Sequence, residues 1–162
     1  MSVRHLLALA CLATLFTAGA ASPAPAVSIP KAQWPFQATT VADFDEPWAM
    51  TFLPDGTLLV TEKRGALMRL DPNTRHKGAI TGIPAVAYGG QGGFGDVITH
   101  PRFANNGLIY LSYVEPGQGD TRGAAVARAK LTVDAAGGGT LSDLKVIWRQ
   151  DPNVTGNGHF GH

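Results

Sequence analysis

Short apolar strands separated by proline and glycine turns recur along this chain, and this recurrence limits the folds that it can adopt. Apolar and polar side chains alternate at residues 48–53 and 66–70, and residues 57–62 are predicted to form the strand that returns between them, after a Pro-Asp-Gly turn at residues 54–56. After residue 21 no stretch has the sustained apolar spacing of an amphipathic helix. Twenty glycines and eleven prolines also suit short strands with tight turns. The pattern predicts an all-β fold that begins with a three-stranded meander.

A second unit with a similar pattern follows the first, and Pro54 and Pro101 mark corresponding turns 47 residues apart. Its predicted strands occupy residues 94–99, 108–113, 123–131 and 141–149, with Asn105-Asn106-Gly107 as a tight hairpin turn between the first two. One four-stranded antiparallel sheet per ~40–50 residues is typical of a β-propeller blade. A β-sandwich built from the same hairpins is the alternative.

A single polar side chain, Gln91, stands among four glycines in the sequence Tyr-Gly-Gly-Gln-Gly-Gly-Phe at residues 88–94. Glycine permits positive φ and a close approach between the backbone and its neighbours. Loops that hold a polar side chain on a rigid scaffold frequently bind ligands. The stretch therefore predicts a loop that displays Gln91, followed by two antiparallel strands.

Residues 1–21 have the build of a secretory signal peptide. A charged start precedes an apolar run at residues 6–16, and the small residues 18–20 fit an A-x-A cleavage pattern. The apolar run is too short to span a bilayer, so we expect an exported protein, periplasmic or secreted, with no membrane span. Residues 22–40 are rich in proline and predict a linker or a wrapping arm. Residues 41–162 are expected to form the folded domain.

The charge and the cysteine content exclude several classes of function. The formal charge of +1 includes Arg4, so the mature chain would be neutral and would not steer nucleic acid. Cys11 is the only cysteine and lies in the predicted leader, where a lipid anchor is the weaker interpretation because the apolar run before it is short. A mature chain without thiols has no disulfide and no cysteine metal site.

Five motifs in collinear order resemble those of the glucose/sorbosone dehydrogenase family, the soluble aldose sugar dehydrogenases that depend on pyrroloquinoline quinone (PQQ). They are PWAMTFLPDG at residues 47–56, LVTE at 59–62, GGQGG at 89–93, HP at 100–101 with IYLSY at 109–113, and GNGHFG at 156–161. The resemblance covers about residues 41–162. It implies a six-bladed β-propeller with the quinone on top, near the central axis, and about the first two blades are present in this chain.

The resemblance also implies a reaction. The family oxidises the C1 hydroxyl of an aldose to a lactone: a base removes the hydroxyl proton while hydride passes to the quinone, and an external electron acceptor completes the cycle. His159 matches the catalytic histidine position, and histidine is the side chain best suited to accept a proton near neutral pH. Gln91 matches a glutamine that lines the same pocket and binds sugar or cofactor.

Two positions depart from the family pattern. Gly158 stands where some relatives carry an aspartate just before the catalytic histidine, and His162 stands where relatives have a small residue followed by Arg-Leu. The cationic side chains that hold the quinone's carboxylates and the ligands of the family's calcium ions belong to later blades, so we assign no metal ligand here. Our hypothesis is that the chain is an amino-terminal portion of a longer reading frame and is inactive alone.

Other polar side chains have structural explanations. His100 precedes a proline at a strand end and is expected to be structural. Asp96 lies within a strand and is expected to pair with backbone at the end of the sheet. His76 lies in a polar segment and is expected on the surface.

Two other functions are compatible with the same architecture. One is a secreted, calcium-dependent sugar-lactone hydrolase, which would need carboxylates at the propeller centre. The other is a non-catalytic binding propeller, which would need neither His159 nor Gln91. The sequence does not identify the aldose or the native electron acceptor, and it does not distinguish a monomer from a homodimer.

Overall fold

The structure, a computed structural model, describes residues 35–161. The predicted signal peptide, Cys11, most of the proline-rich arm and His162 lie outside the described residues. All strands belong to a compact unit that begins at Thr39, and residues 35–38 belong to a separate unit. Within the described residues no helix is long and apolar enough to cross a membrane.

The first half of the compact unit is a four-stranded antiparallel meander. Its strands are β1 (Pro47–Phe52), β2 (Leu58–Glu62), β3 (Ala66–Leu70) and β4 (Lys77–Thr81). The prediction of a three-stranded meander was therefore wrong by one strand. The sequence of β4, Lys-Gly-Ala-Ile-Thr, buries only Ile80 and gives almost no alternating apolar signal, so its strand conformation comes from pairing with β3.

The second half is another antiparallel meander. Its strands are β5 (Phe94–Thr99), β6 (Leu108–Pro116), β7 (Thr121–Val133) and β8 (Gly139–Arg149), and a short β9 (Val154–Thr155) pairs with the start of β7. All four predicted strands are confirmed, and three of them extend beyond their predicted bounds.

The connection between β5 and β6 is a helical turn, α1 (Phe103–Asn106), and the predicted tight hairpin was wrong. Gly107 ends this turn with a left-handed φ of 63°, and its N–H donates to the Phe103 carbonyl at 2.7 Å. The Asn-Gly signal thus marked a true positive-φ position. That position ends a helical turn because the seven residues before it leave room for one.

The two meanders pack face to face around a shared apolar core. A short parallel pair at Ile80–Gly139 and Thr81–Thr140 joins β4 to β8, so the sheet runs β1-β2-β3-β4-β8-β7-β6-β5, and β1 packs beside β5. The core side chains are Leu53, Leu59, Leu67, Ile80, Phe94, Val97, Ile109, Leu111, Tyr113, Ala125, Ala127, Ala129, Leu131 and Leu141. Each fully buried large aliphatic side chain contributes about 1.5–3 kcal/mol, so burial between the meanders holds them together.

A buried hydroxyl links three strands across this interface. Thr61 of β2 is fully buried, and its Oγ1 donates to the Gly95 carbonyl of β5 at 2.8 Å. The same oxygen accepts the Ala49 N–H of β1 at 3.0 Å, opposite a bulge that interrupts the β1–β2 ladder. Thr61 therefore satisfies two backbone groups that the ladder leaves unpaired.

We predict that Thr61→Val destabilises the fold by about 1–3 kcal/mol, because the isosteric valine leaves the buried Gly95 carbonyl and the partly buried Ala49 N–H without this partner. Urea denaturation followed by far-UV circular dichroism measures the change. The control is Thr132→Val: Thr132 is exposed on β7, its hydroxyl makes no hydrogen bond within residues 35–161, and its loss should change stability by less than about 0.5 kcal/mol. Equal effects of the two substitutions would contradict the role of Thr61.

A carboxylate organises the β1–β2 turn. Asp55 Oδ1 accepts the Thr57 N–H at 3.0 Å and the Thr57 hydroxyl at 2.6 Å, and its Oδ2 forms an ion pair with Arg69 Nη2 at 3.0 Å. Partial burial alone would raise the pKa of Asp55, but these hydrogen bonds and the guanidinium outweigh it and lower the pKa below its ordinary value.

We predict that part of the fold's stability is lost in acid through Asp55. A carboxylate with a lowered folded-state pKa stabilises the fold above its unfolded pKa, about 4, and this contribution disappears as the pH falls through the folded pKa. Wild type should melt at a higher temperature than Asp55→Asn at pH 7, and the gap should narrow as the pH drops below about 4. A gap that is constant with pH would show that the charge of Asp55 is not involved.

Candidate functional site

Two loops that are far apart in sequence meet at one end of the meanders. The glycine-rich loop, residues 89–93, lies before β5, and the terminal loop, residues 156–161, follows β9. The Gln91 N–H donates to the Asn157 carbonyl at 2.7 Å, and Gln91 Oε1 accepts the His159 N–H at 2.9 Å. The structure therefore brings Gln91 and His159, the two site residues predicted from sequence, into direct hydrogen-bonded contact.

Glycine is required where the two loops touch. Gly90 has a left-handed φ of 54°, and a Cβ added to it would lie 2.5 Å from the Asn157 carbonyl oxygen. No side chain fits at that distance, so any larger residue would separate the loops. The sequence prediction of a loop that displays Gln91 is confirmed: its side chain is exposed, and its backbone is tied to the terminal loop.

His159 is held in an unusual backbone conformation. Its φ is +35°, in the left-handed region that non-glycine residues rarely adopt. Such strain persists only where neighbours over-determine the conformation, and it is concentrated at functional sites. Here the neighbours are Gln91, which accepts the His159 N–H, and Phe160, whose buried ring packs with Val114 and Ala124. Residues 160–161 form no strand, so packing of the Phe160 ring fixes this segment.

The imidazole of His159 faces a cleft of about 400 Å³. The cleft is lined by Trp48, Gln91, His159, Phe160 and Gly161. Within residues 35–161 the imidazole makes no hydrogen bond or ion pair, so both ring nitrogens are available to a ligand. The site thus combines an accessible proton acceptor, an amide and an aromatic wall.

Trp48 forms the aromatic wall, and our sequence analysis did not identify it as a site residue. Trp48 alternates along β1 with Met50 and Phe52, and all three side chains are exposed, Trp48 to 46%. The signal that could have identified Trp48 is its place at the start of β1, at the same end of the sheet as the glycine-rich loop. A large exposed aromatic ring beside polar groups is typical of a ligand-binding cleft.

Asn157 and Arg122 support the terminal loop and were also missed. The Arg122 guanidinium donates through Nη1 to Asn157 Oδ1 and through Nη2 to Asp120 Oδ1 at 2.7 Å. Because the Asn157 carbonyl accepts the Gln91 N–H, this arginine on β7 braces the residue that joins the two loops.

The remaining polar residues lie outside the cleft lining. His100 is structural as predicted, because its Nδ1 accepts the Arg102 N–H at 2.9 Å and its ring stacks on Tyr110. His76 is exposed as predicted. The expectation for Asp96 was wrong: its carboxylate is exposed and makes no hydrogen bond within the described residues, because a bulge in β5 turns it outward.

The described residues contain no cluster of metal-ligating side chains. Among residues 35–161, no group of three or more His, Cys, Asp or Glu side chains is arranged to hold a metal ion. The cleft therefore offers hydrogen bonds and an aromatic surface to a ligand, and proton transfer through His159.

The fold and the cleft define a class of protein: two four-stranded meanders packed face to face, with a polar site at one end, form adjacent blades of a β-propeller. The Glucose / Sorbosone dehydrogenase family profile matches residues 44–162. An Escherichia coli (strain K12) protein named aldose sugar dehydrogenase YliI is 33% identical over an alignment of 143 residues that covers 85% of this chain and 38% of the relative.

Solved structures agree with this assignment. A crystal structure of glucose dehydrogenase is 38% identical with a TM-score of 0.70, over 76% of this chain and 36% of that one. The PQQ-bound form of an aldose sugar dehydrogenase from Streptomyces coelicolor has the same fold at 24% identity, with a TM-score of 0.57, over 69% of this chain and 33% of that one.

The chain belongs to the glucose/sorbosone dehydrogenase family. The comparison confirms the predicted all-β fold, with about the first two blades of the six-bladed β-propeller in this chain. The chain spans somewhat more than a third of the length of the E. coli relative.

We predict that Gln91→Met frees the terminal loop, because the thioether of methionine is a much weaker acceptor for the His159 N–H than the amide oxygen. The exchange of the His159 amide with solvent should accelerate about tenfold, corresponding to one lost hydrogen bond. Nuclear magnetic resonance measures this rate. Gln91→Glu is the matched control, because its carboxylate retains an acceptor, and it should exchange at close to the wild-type rate. Identical rates in the methionine variant and the wild type would show that the bond does not hold the loop.

Proposed function

We propose that this chain carries part of the active site of a sugar dehydrogenase that oxidises the C1 hydroxyl of an aldose to a lactone, with PQQ as the hydride acceptor. Family membership and the name of the E. coli relative support the sugar dehydrogenase activity. The PQQ-bound form of the S. coelicolor relative supports the quinone as cofactor. The leader predicted at residues 1–21 supports a periplasmic or secreted location.

The observation that carries the proposal is the placement of His159. Its imidazole lines the cleft without a hydrogen bond to the described part of the chain, while Gln91 and Phe160 fix its backbone. A base must come within about 3 Å of the proton that it removes, and it must be held there in a productive orientation. His159 would take the C1 hydroxyl proton at one of its ring nitrogens, and the cleft would exclude water around the sugar.

Gln91 and Trp48 fit a flat, polar ligand. Gln91 Oε1 is occupied by the His159 N–H, so the Nε2 amide remains to donate to a sugar or quinone oxygen. The Trp48 ring offers an apolar surface to a planar group or to the C–H face of a sugar. When bound, the quinone supplies the hydride acceptor.

The carboxylates of PQQ need partners beyond this cleft. No lysine or arginine is among the residues that line it. The residues that line the cleft would therefore hold the quinone ring and the sugar, and not the quinone's carboxylates. The cationic groups, and any calcium ligands, would come from other parts of the propeller.

We predict that His159→Ala, in the protein that carries this chain, lowers kcat by about 100- to 10,000-fold, the usual contribution of a positioned general base. Binding of PQQ, followed by the absorbance and fluorescence of the quinone, should remain. His159→Gln is the matched variant that keeps a polar side chain in the cleft and should be equally inactive. Loss of quinone binding in both variants would instead assign His159 to the cofactor.

Titration of the unmodified protein with PQQ and calcium separates this proposal from its alternatives. A dehydrogenase should bind PQQ and reduce a dye as external acceptor when an aldose is added. Lactone hydrolysis that depends on calcium and not on PQQ would favour a hydrolase. Binding of neither would favour a propeller that only recognises a partner.

We also predict that Gly158→Asp shifts the pH dependence of activity. A Cβ at position 158 meets no atom within 4 Å, so a side chain is accommodated there. A carboxylate beside His159 would favour the protonated imidazole, and the pH below which kcat falls should move upward by up to about one unit. Gly158→Asn is the neutral control and should leave the pH profile in place. A shift of the same size with asparagine would exclude an electrostatic cause.

A further inference from the structure

Lys63, in the turn between β2 and β3, contacts the glycine-rich loop on both sides of Gln91. Its Nζ donates to the Gly90 carbonyl at 2.5 Å, and its own carbonyl accepts the Phe94 N–H at 2.9 Å. A Cβ added to Gly93 would lie 2.5 Å from the Lys63 carbonyl oxygen, so the backbones of these two residues touch. One residue therefore anchors the loop before and after the side chain that it displays.

The ammonium group of Lys63 also lies close to two aromatic rings. Its Nζ is 5.9 Å from the centre of the Trp48 ring and 5.8 Å from the centre of the Tyr88 ring. Both distances fall within the range of cation–π attraction. Trp48 is the aromatic wall of the cleft, and Tyr88 directly precedes the glycine-rich loop. Lys63 thus connects the wall, the loop and the β2–β3 turn at one point.

The surroundings keep this lysine in place. The Tyr88 hydroxyl donates to Glu46 Oε2 at 2.8 Å, and the Lys63 N–H donates to the Glu46 carbonyl at 3.0 Å. Arg64 lies 4.4 Å over the Tyr88 ring and pairs with Glu46 at 3.3 Å. Tyr88, one of the two aromatic partners of Lys63, is therefore itself held by a hydrogen bond and by a second cation.

We propose that Lys63 is a positioning residue of the cleft. It holds the Gly90 carbonyl, and thereby the Gln91 backbone, against Asn157, so that Gln91 Oε1 stays in reach of the His159 N–H. Lys63 does not line the cleft, so it acts through Gln91. The catalytic consequence rests on the proposed function, whereas the effect on the two loops does not.

The chain offers a matched control at Lys77. Lys77 Nζ donates to the Asp43 carbonyl at 2.5 Å and lies 4.9 Å over the Phe44 ring, so its contacts are of the same kind as those of Lys63. It begins β4 and touches neither loop of the site through these contacts. If substitution of Lys63 and substitution of Lys77 have different effects, the difference would therefore reflect where each lysine lies and not the loss of a surface charge.

Amide hydrogen exchange of the chain, measured by nuclear magnetic resonance, tests the positioning role. Lys63→Met keeps the aliphatic stem and removes the ammonium group. It should accelerate exchange of the Gln91 and His159 amides about tenfold, while Ile109 in the buried strand β6 is unchanged. Lys63→Arg retains a donor and a cation for both rings, and should stay within about threefold of wild type. Lys77→Met should leave both amides unchanged.

Two outcomes overturn the proposal. Unchanged exchange of Gln91 and His159 in Lys63→Met would show that the ammonium group does not hold the loop. Equal acceleration at Ile109 would show a global loss of stability and no local positioning.

Steady-state kinetics tests the catalytic consequence in the protein that carries this chain. Lys63→Met should lower kcat about tenfold with little change in KM for the sugar. Lys63→Arg should retain most of the wild-type kcat. If wild type has no dehydrogenase activity while the exchange results hold, the proposed function fails and the positioning role stands. If Lys63→Met loosens the loop but leaves kcat unchanged, the catalytic part of this inference is wrong.

Discussion

The site depends on the contact between two backbones. The glycine-rich loop and the terminal loop approach so closely at Gly90 and Asn157 that a single methyl group would separate them. That approach allows the Gln91 N–H to reach the Asn157 carbonyl, and the Gln91 side chain to reach the His159 N–H. Neither loop has regular secondary structure of its own, so the contact between them helps to fix the position of both. The position of the imidazole is thus a consequence of glycine geometry 69 residues earlier in the chain.

The strain at His159 is offset by ordinary packing. A left-handed φ at a non-glycine residue costs of the order of 1–3 kcal/mol, which a loop in free solution would relieve. Burial of the Phe160 ring against Val114 and Ala124 contributes a comparable amount of the opposite sign. The buried Phe160 ring therefore keeps the neighbouring His159 in its strained backbone conformation. This arrangement explains why a buried phenylalanine follows an exposed histidine directly.

Sequence patterns predicted the strands that carry strong alternation and missed the element that does not. The strands of the second meander each carry several apolar side chains, and all four were found, whereas β4 has one buried side chain and owes its conformation to neighbours. The bulge that exposes Asp96 and the helical turn before Gly107 depend on tertiary register, which local patterns do not encode. His159 was assigned by resemblance to a family, whereas Gln91 was indicated by the glycines around it and then by the same resemblance. Their hydrogen bond, and the roles of Trp48 and Lys63, required the folded chain because no spacing in the sequence relates these positions.

The glycines of the two loops tolerate change very differently. A Cβ added to Gly90 would collide with the opposing loop, whereas a Cβ added to Gly158, directly before His159, would meet no atom within 4 Å. Substitution is therefore sterically permitted next to His159 and forbidden at the contact that positions it. A lineage could acquire or discard a side chain at 158 without rebuilding the loops.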